Sequence, residues 1–321
     1  MQNHWITLKK QPYNIIMESR KILVIGSSNT DMTVKADKLP SPGETVLGGS
    51  FSMGYGGKGA NQAIAAKRLG GDVSFVCKVG RDSFGEMSLA KYRSEGLDIS
   101  GILYSGRPSG VALITVDASA ENSIVVASGA NADVTVQDMR DLAPVIAASS
   151  ILLLQLEIPL DAVVEAARIA YGAGVYVVLN PAPACGKSLP EELYRYVSLI
   201  IPNETEISLL TGICADSVDS AHTAALRLRS RGARSVIVTL GSKGSLVCGD
   251  GSVELVPARK VEAVDTTAAG DTFCGALCVA LSEGRGIAES VRFATAASSL
   301  SVTRIGALDS IPFRAEVNAI A

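Results

Sequence analysis

Short, continuous apolar runs recur along the chain, at residues 21–26, 73–79, 151–156, 175–179, 199–201 and 236–240. Between them apolar residues return every three or four positions, at 60–69, 83–95, 160–171, 204–211 and 221–231, and again at 272–281 and 287–301. Unbroken apolar runs of this length read as strands buried on both faces, and the periodic stretches as amphipathic helices. Strands alternating with helices predict an α/β protein whose parallel sheet is covered on both sides.

Two regions break this rhythm. In residues 32–55 a strictly alternating stretch is followed by the turn Pro40-Ser-Pro-Gly43 and a second strand-like stretch. In residues 108–128 the runs 110–117 and 122–127 flank a turn at 118–121, which is a hairpin pattern. These pieces predict a small separate sheet, a lid assembled from two insertions.

Composition adds bounds. The chain has 321 residues, 47% hydrophobic and 19% charged, enough for a large core. A net charge of −3 argues against a general nucleic-acid binder. The six cysteines (77, 185, 214, 248, 274 and 278) form no CxxC pair and only two histidines accompany them, which argues against a zinc site. Such usage fits free thiols in a reducing cytoplasm. Residues 1–20 lack a continuous apolar segment, so they are expected to be an N-terminal extension and not a signal peptide, with residues 21–321 forming the main domain.

Polar residues gather where the apolar runs end, and in open α/β sheets ligands bind beyond the carboxyl ends of the strands. Asn29 and Asp31 follow the first run, Gln155 and Glu157 the third, Asn180 the fourth and Asn203 and Glu206 the fifth. Thr239, Gly241, Ser242 and Gly244 lie at the end of the last. Each has an alternative reading as a turn residue or helix cap. Gly54, Gly56 and Gly59 match GxGxxG by spacing, but they do not follow the first core strand as a dinucleotide fingerprint requires. A Walker A match fails because Gly59 follows Lys58. What remains is a glycine loop that lets backbone approach a polar ligand, with Lys58 and Asn61 projecting, or a hinge beside a helix.

Residues 261–275 read VEAVDTTAAGDTFCG. An extended stretch ends at Asp265, small residues follow, and a second acid, Asp271, stands where a helical pattern begins. Small residues and a helix start make an anion site from unpaired N–H groups. An acid within such a site has a chemical use: it can deprotonate a hydroxyl about to attack phosphate. The alternative is that Thr267 or Asp271 simply caps the helix.

Taken together, these stretches resemble the signatures of the PfkB carbohydrate kinases. Residues 265–273 (DTTAAGDTF) are similar to one family signature and residues 56–62 (GGKGANQ) to the N-terminal one. With Asn29-Thr-Asp31, Gln155-Leu-Glu157, Asn203-Glu-Thr-Glu206 and residues 239–244, the resemblance runs from about residue 21 to 311 and is to the branch that phosphorylates D-ribose. It implies a Rossmann-like three-layer sandwich with a β-sheet lid, and ATP-dependent transfer to the sugar 5-hydroxyl.

By that resemblance Asp271 is the base, and Ala268, Ala269 and Gly270 supply amides to the γ-phosphate. Asn29, Asp31, Gly57, Lys58, Asn61 and Glu157 bind the sugar. Asn203 and Glu206 serve the phosphate–Mg2+ region, while Thr239, Gly241, Ser242, Gly244, Gly270 and Thr295 line the ATP site. Thr295 stands where such proteins often carry Asn beside the adenine. A monovalent cation, K+, is implied beside the anion hole, with Asp265, Thr267, Ser301, Arg304, Gly306 and Ser310 as ligands. Paired lids imply a homodimer. Sibling activities on 2-deoxyribose, fructose, a keto-deoxy sugar acid or a nucleoside are alternatives, as is a non-catalytic sensor on the same fold.

Overall fold

A computed structural model describes residues 20–119, 121–184, 189–249 and 252–320. The expected N-terminal extension apart from Arg20, residue 120 of the 118–121 turn, and Cys185 lie outside the described residues. In chain order the strands are β1 (Lys21–Ile25), β2 (Asn29–Lys35), β3 (Ser50–Gly56), β4 (Asp72–Val76), β5 (Lys78–Gly80), β6 (Leu103–Ser105) and β7 (Gly110–Val116). They continue as β8 (Asn122–Ala127), β9 (Ile151–Leu154), β10 (Tyr176–Leu179), β11 (Leu199–Ile200), β12 (Ser235–Thr239), β13 (Ser245–Cys248) and β14 (Val253–Val256).

Eight strands form the central sheet in the order β14-β13-β12-β11-β10-β9-β1-β4. From β4 to β12 neighbours run parallel, and β13 and β14 add an antiparallel edge. The period-2 alternation of a strand explains why β1 is apolar throughout. Ile22 and Val24 join the core under the helices Lys58–Arg68, Ala269–Ser282 and Ile287–Ser301, while Leu23 and Ile25 join the core under Leu160–Gly172 and Val218–Ser230. The result is the expected three-layer α/β sandwich. No helix of the described residues is long and apolar enough to cross a membrane.

A second sheet, ordered β3-β2-β7-β8, draws its strands from the two regions that break the α/β rhythm. β2 leaves β1 after three residues and pairs parallel with β7. Directly opposed residues share a face, so Met32, Met53, Leu113 and Val125 form one cross-strand row. Asn29 and Asp31 belong to the other face.

The sequence pattern differs from the structure in three places. The run 73–79 breaks at Cys77, with β4 in the central sheet and β5 pairing with β6 in a small sheet of its own. The helices Val136–Asp141, Ala143–Ala147, Glu191–Tyr196 and Arg314–Asn318, the last beyond the 287–301 stretch, have five or six residues, too few for a 3.6-residue period to show. The β13–β14 hairpin escaped because β14 is largely exposed and carries no apolar run.

Candidate active site

The Ala269–Ser282 helix starts without a side-chain cap. Its N-cap residue, Ala268, has φ 58° and ψ 10°, the one positive φ among the described non-glycine residues. Left-handed backbone at an L-residue costs roughly 1–2 kcal/mol, so the turn is held there by its surroundings. Neither Thr267 nor Asp271 serves as the cap, which removes the alternative open at the sequence level. Of the three amides expected to form an anion hole, that of Ala269 donates to Thr266 O at 3.2 Å. Gly270 follows it in the first turn, where N–H groups lack intrahelical partners.

Asp271 sits in that turn, 5% exposed. Its Oδ2 accepts from Asn61 Nδ2 and its Oδ1 from Gln62 Nε2, each at 2.9 Å. Both donors lie at the start of the Lys58–Arg68 helix. The two helices approach closely because Gly275 has no side chain: a Cβ there would lie 2.7 Å from Gln62 O and from the Ala65 methyl.

On one side of Asp271 lie the residues expected to meet a sugar. Glu157 Oε2 accepts from Ser27 Oγ at 2.5 Å and from the Lys58 amide at 2.9 Å, fixing the glycine loop to the exit of β1. Gly57, at φ 89°, makes the turn into the helix. The Asp271 carboxylate holds the Lys58 ammonium above its ordinary pKa, aided by Glu157 and Glu206 and opposed by burial. Asp31 is pushed up to about 7 by burial, then by Glu157 and Asp271. Asn29 is buried and its Oδ1 accepts from Asn131 Nδ2 at 2.7 Å. Asn61 Oδ1 is buried without a partner, which leaves an acceptor beside Asp271.

Two cavities adjoin at the start of the Ala269–Ser282 helix. The smaller, about 170 Å³, is lined by Lys58, Asn203, Glu206, Thr239, Gly270 and Asp271 among others. The larger, about 640 Å³, is lined by Gly241, Ser242, Gly244, Phe273 and Thr295, and shares Asn203, Thr239, Thr266, Ala269 and Gly270 with the first. Thr295 Oγ1 has no partner. Asn203 and Glu206 form a reciprocal capping box: Asn203 Oδ1 accepts from Glu206 N at 2.8 Å, and Glu206 Oε2 from Asn203 N at 2.9 Å. The helix-cap reading therefore holds for this pair, and both residues also line the smaller cavity. Burial pushes Glu206 up, against its Asn203 bond and Lys58.

Asp265 has a different set of partners from Asp271. Its Oδ1 accepts from Thr267 N at 2.8 Å and its Oδ2 from Gly306 N at 2.9 Å, tying the anion loop to the chain after the Ile287–Ser301 helix. Ser301 and Ser310 donate their hydroxyl hydrogens to Ser298 O and Ala307 O, at 2.9 and 2.8 Å. Arg304 turns its guanidinium to Glu316 Oε1 at 2.6 Å, so only its carbonyl could serve a cation. Arg68 braces the same region, donating to Leu308 O and Ile311 O at 2.7 and 2.9 Å while paired with Glu95.

Three contributors escaped the sequence reading as site residues. Gln62 bonds Asp271 directly, Asn131 orients Asn29, and Gln155 bonds Gln62 at 2.6 Å. Gln62 and Gln155 stood inside noticed motifs. Asn131 carried no signal, because its partners come from 102 and 103 positions away.

A Rossmann-like sheet with an uncapped helix start, an acid set within it and two adjoining cavities is an arrangement suited to a small-molecule phosphotransferase. The family model described as pfkB family carbohydrate kinase matches residues 19–314, and the chain belongs to that family. It is 44% identical over 298 residues to the ribokinase of Haemophilus influenzae, spanning 92% of this chain and 97% of that one. It is 35% identical over 292 residues to the deoxyribokinase of Salmonella typhi, spanning 91% and 95%. The structure of Arabidopsis thaliana ribokinase complexed with ribose and ATP is 33% identical, with a TM-score of 0.85 over 93% of this chain and 97% of that one.

Proposed function

We propose that the protein transfers the γ-phosphoryl group of ATP to the 5-hydroxyl of D-ribose. The observation that carries this reading is the Asp271 carboxylate, held by Asn61 and Gln62 at the head of an uncapped helix between two sets of polar residues. Asp271 takes the proton of the attacking hydroxyl. The amides at the helix start, Gly270 foremost, meet the charge that develops on the phosphoryl oxygens, and Lys58 adds its ammonium. On the sugar side Asn29, Asp31, Asn61 and Glu157 offer acceptors suited to several hydroxyl hydrogens, with Gly57 allowing close approach. The larger cavity takes the nucleotide along Thr239, Gly241, Ser242 and Gly244, and Thr295 stands where the base would lie.

Asn203 and Glu206 would hold Mg2+ through water, since Glu206 keeps one oxygen outside its capping box. The ion supplies charge neutralisation at the phosphates. K+ would sit beside Asp265, with oxygens of Thr267, Ser301, Arg304, Gly306 and Ser310 as the hard donors it prefers. Its effect there would be on the shape of the anion loop.

The second sheet is read as a lid over the sugar, formed by residues 32–55 and 108–128. One of its faces carries Asn29 and Asp31, and the other an exposed apolar row including Phe51, Met53, Leu113 and Val125, at 61, 42, 53 and 65%. Such a face suits a second copy of the chain. Sedimentation showing only monomers at micromolar concentration would contradict the dimer. The five described cysteines are free, which suits a cytoplasmic location.

A second reading, 2-deoxyribose as substrate, is favoured by the 35% identity to a deoxyribokinase. A site that hydrogen-bonds the 2-hydroxyl rejects an analogue lacking it by ~10⁴-fold. ADP release with ribose, 2-deoxyribose, fructose and adenosine separates the readings. Ribose should be preferred and yield a 5-phosphate. Preference for another sugar would replace the substrate, and ribose binding without turnover would favour a sensor.

A further inference from the structure

The orientation of the buried amides beside Asp271 is dictated from both ends. The Ile201 carbonyl can only accept, so Asn180 presents Nδ2 to it, at 3.0 Å. That leaves Asn180 Oδ1 toward Gln62, which must answer with Nε2, also at 3.0 Å. The Asp271 carboxylate demands the same Nε2 group, at 2.9 Å. Gln62 Oε1 is thereby left to accept, and Gln155 Nε2 donates to it at 2.6 Å. Gln62 and Gln155 have no solvent exposure. The chain ends on Gln155 Oε1, which is buried without a partner.

A row of buried amides that closes on an unsatisfied oxygen is a poor way to fill a core. Apolar residues of similar shape would stabilise it at least as well. We infer that Gln62, locked by Asn180 and Gln155, is a positioning residue for Asp271. With Asn61 on Oδ2 and Gln62 on Oδ1, the plane of the carboxylate is fixed and its remaining lone pairs are aimed at the substrate hydroxyl. The array joins the ends of β9 and β10 and the start of the Lys58–Arg68 helix to the base, so it transmits the geometry of the sheet to the reacting atom. This inference rests on Asp271 being the base of a sugar kinase.

The test uses the whole chain and four variants: Gln62→Met, Gln155→Met, Asp271→Asn, and Gln62→Met combined with Asp271→Asn. A misaligned base loses ~100-fold in turnover, so Gln62→Met should lower kcat by that order. Its ribose dissociation constant by calorimetry should stay within about threefold of the parent, because uniform binding is untouched. Asp271→Asn and the double variant should share one residual kcat, since Gln62 has nothing left to position. Gln155→Met should lower kcat by a smaller factor at unchanged ribose affinity, and it decides the matter if Gln62→Met does not fold. A kcat within about twofold of the parent in either glutamine variant, or a further loss in the double variant relative to Asp271→Asn, would overturn the array alone. A parent without sugar-dependent ADP release would overturn the proposed function, and the array with it.

Discussion

Asn61 donates its Nδ2 hydrogen to Oδ2 of Asp271 at 2.9 Å, joining the starts of two helices that are 210 positions apart in the chain. The bond decides between two readings of Asp271. A helix cap would turn its carboxylate back onto its own first turn, whereas here both oxygens face amides of the glycine-loop helix. The same bond leaves Asn61 Oδ1 buried and unpartnered beside the carboxylate.

Asp31 predicts a pH dependence of stability. Its carboxyl is raised from 3.8 to about 7, first by burial and then by Glu157 and Asp271. Between those values the folded protein keeps a proton that the unfolded chain has released. Stability therefore falls as pH rises through that window, and levels off above it. Asp31→Asn is neutral throughout. Its gain in Tm over the parent should grow from about pH 4 to about pH 7 and stay constant above, reaching several degrees, about what up to 4 kcal/mol gives a chain of this size. A Tm difference that does not vary with pH would show that Asp31 ionises normally.

Asp265 predicts a coupling between the anion loop and the 301–310 segment. It is the shared acceptor for Thr267 N and Gly306 N. Asp265→Ala frees both amides and unties the loop, and kcat should fall ~10-fold or more, as expected for a shifted anion site. In the proposed account the parent turns over faster in potassium than in sodium-only buffer, and the variant loses that response. Equal parental rates in potassium, sodium and caesium would count against the cation site.

Much of the fold was legible because it rests on local patterns. The runs 21–26, 151–156 and 236–240 each yielded a central strand, and the Glu204–Thr211 and Ile287–Ser301 helices have the bounds that periodicity gave. In the candidate site the two contiguous motifs are brought together, Asn61 of one bonding Asp271 of the other. What was hidden depends on distant contacts. Asn131 reaches Asn29 across 102 positions, and Gln155 reaches Gln62 across 93. Asn203 and Glu206 illustrate a different limit, since sequence posed capping and ligand binding as alternatives and the capping box leaves both residues lining the cavity.

If Asp271 is the base of a ribose 5-kinase, Asp271→Asn should lose turnover and keep ribose binding. Asparagine keeps the size of the side chain and removes its basicity. Kinetics and ribose calorimetry on the same preparation should show kcat lowered by ~10²–10⁴-fold, the usual contribution of a general base, while ribose still binds. An Asp271→Asn protein that turns ribose over within about tenfold of the parental rate would contradict the account.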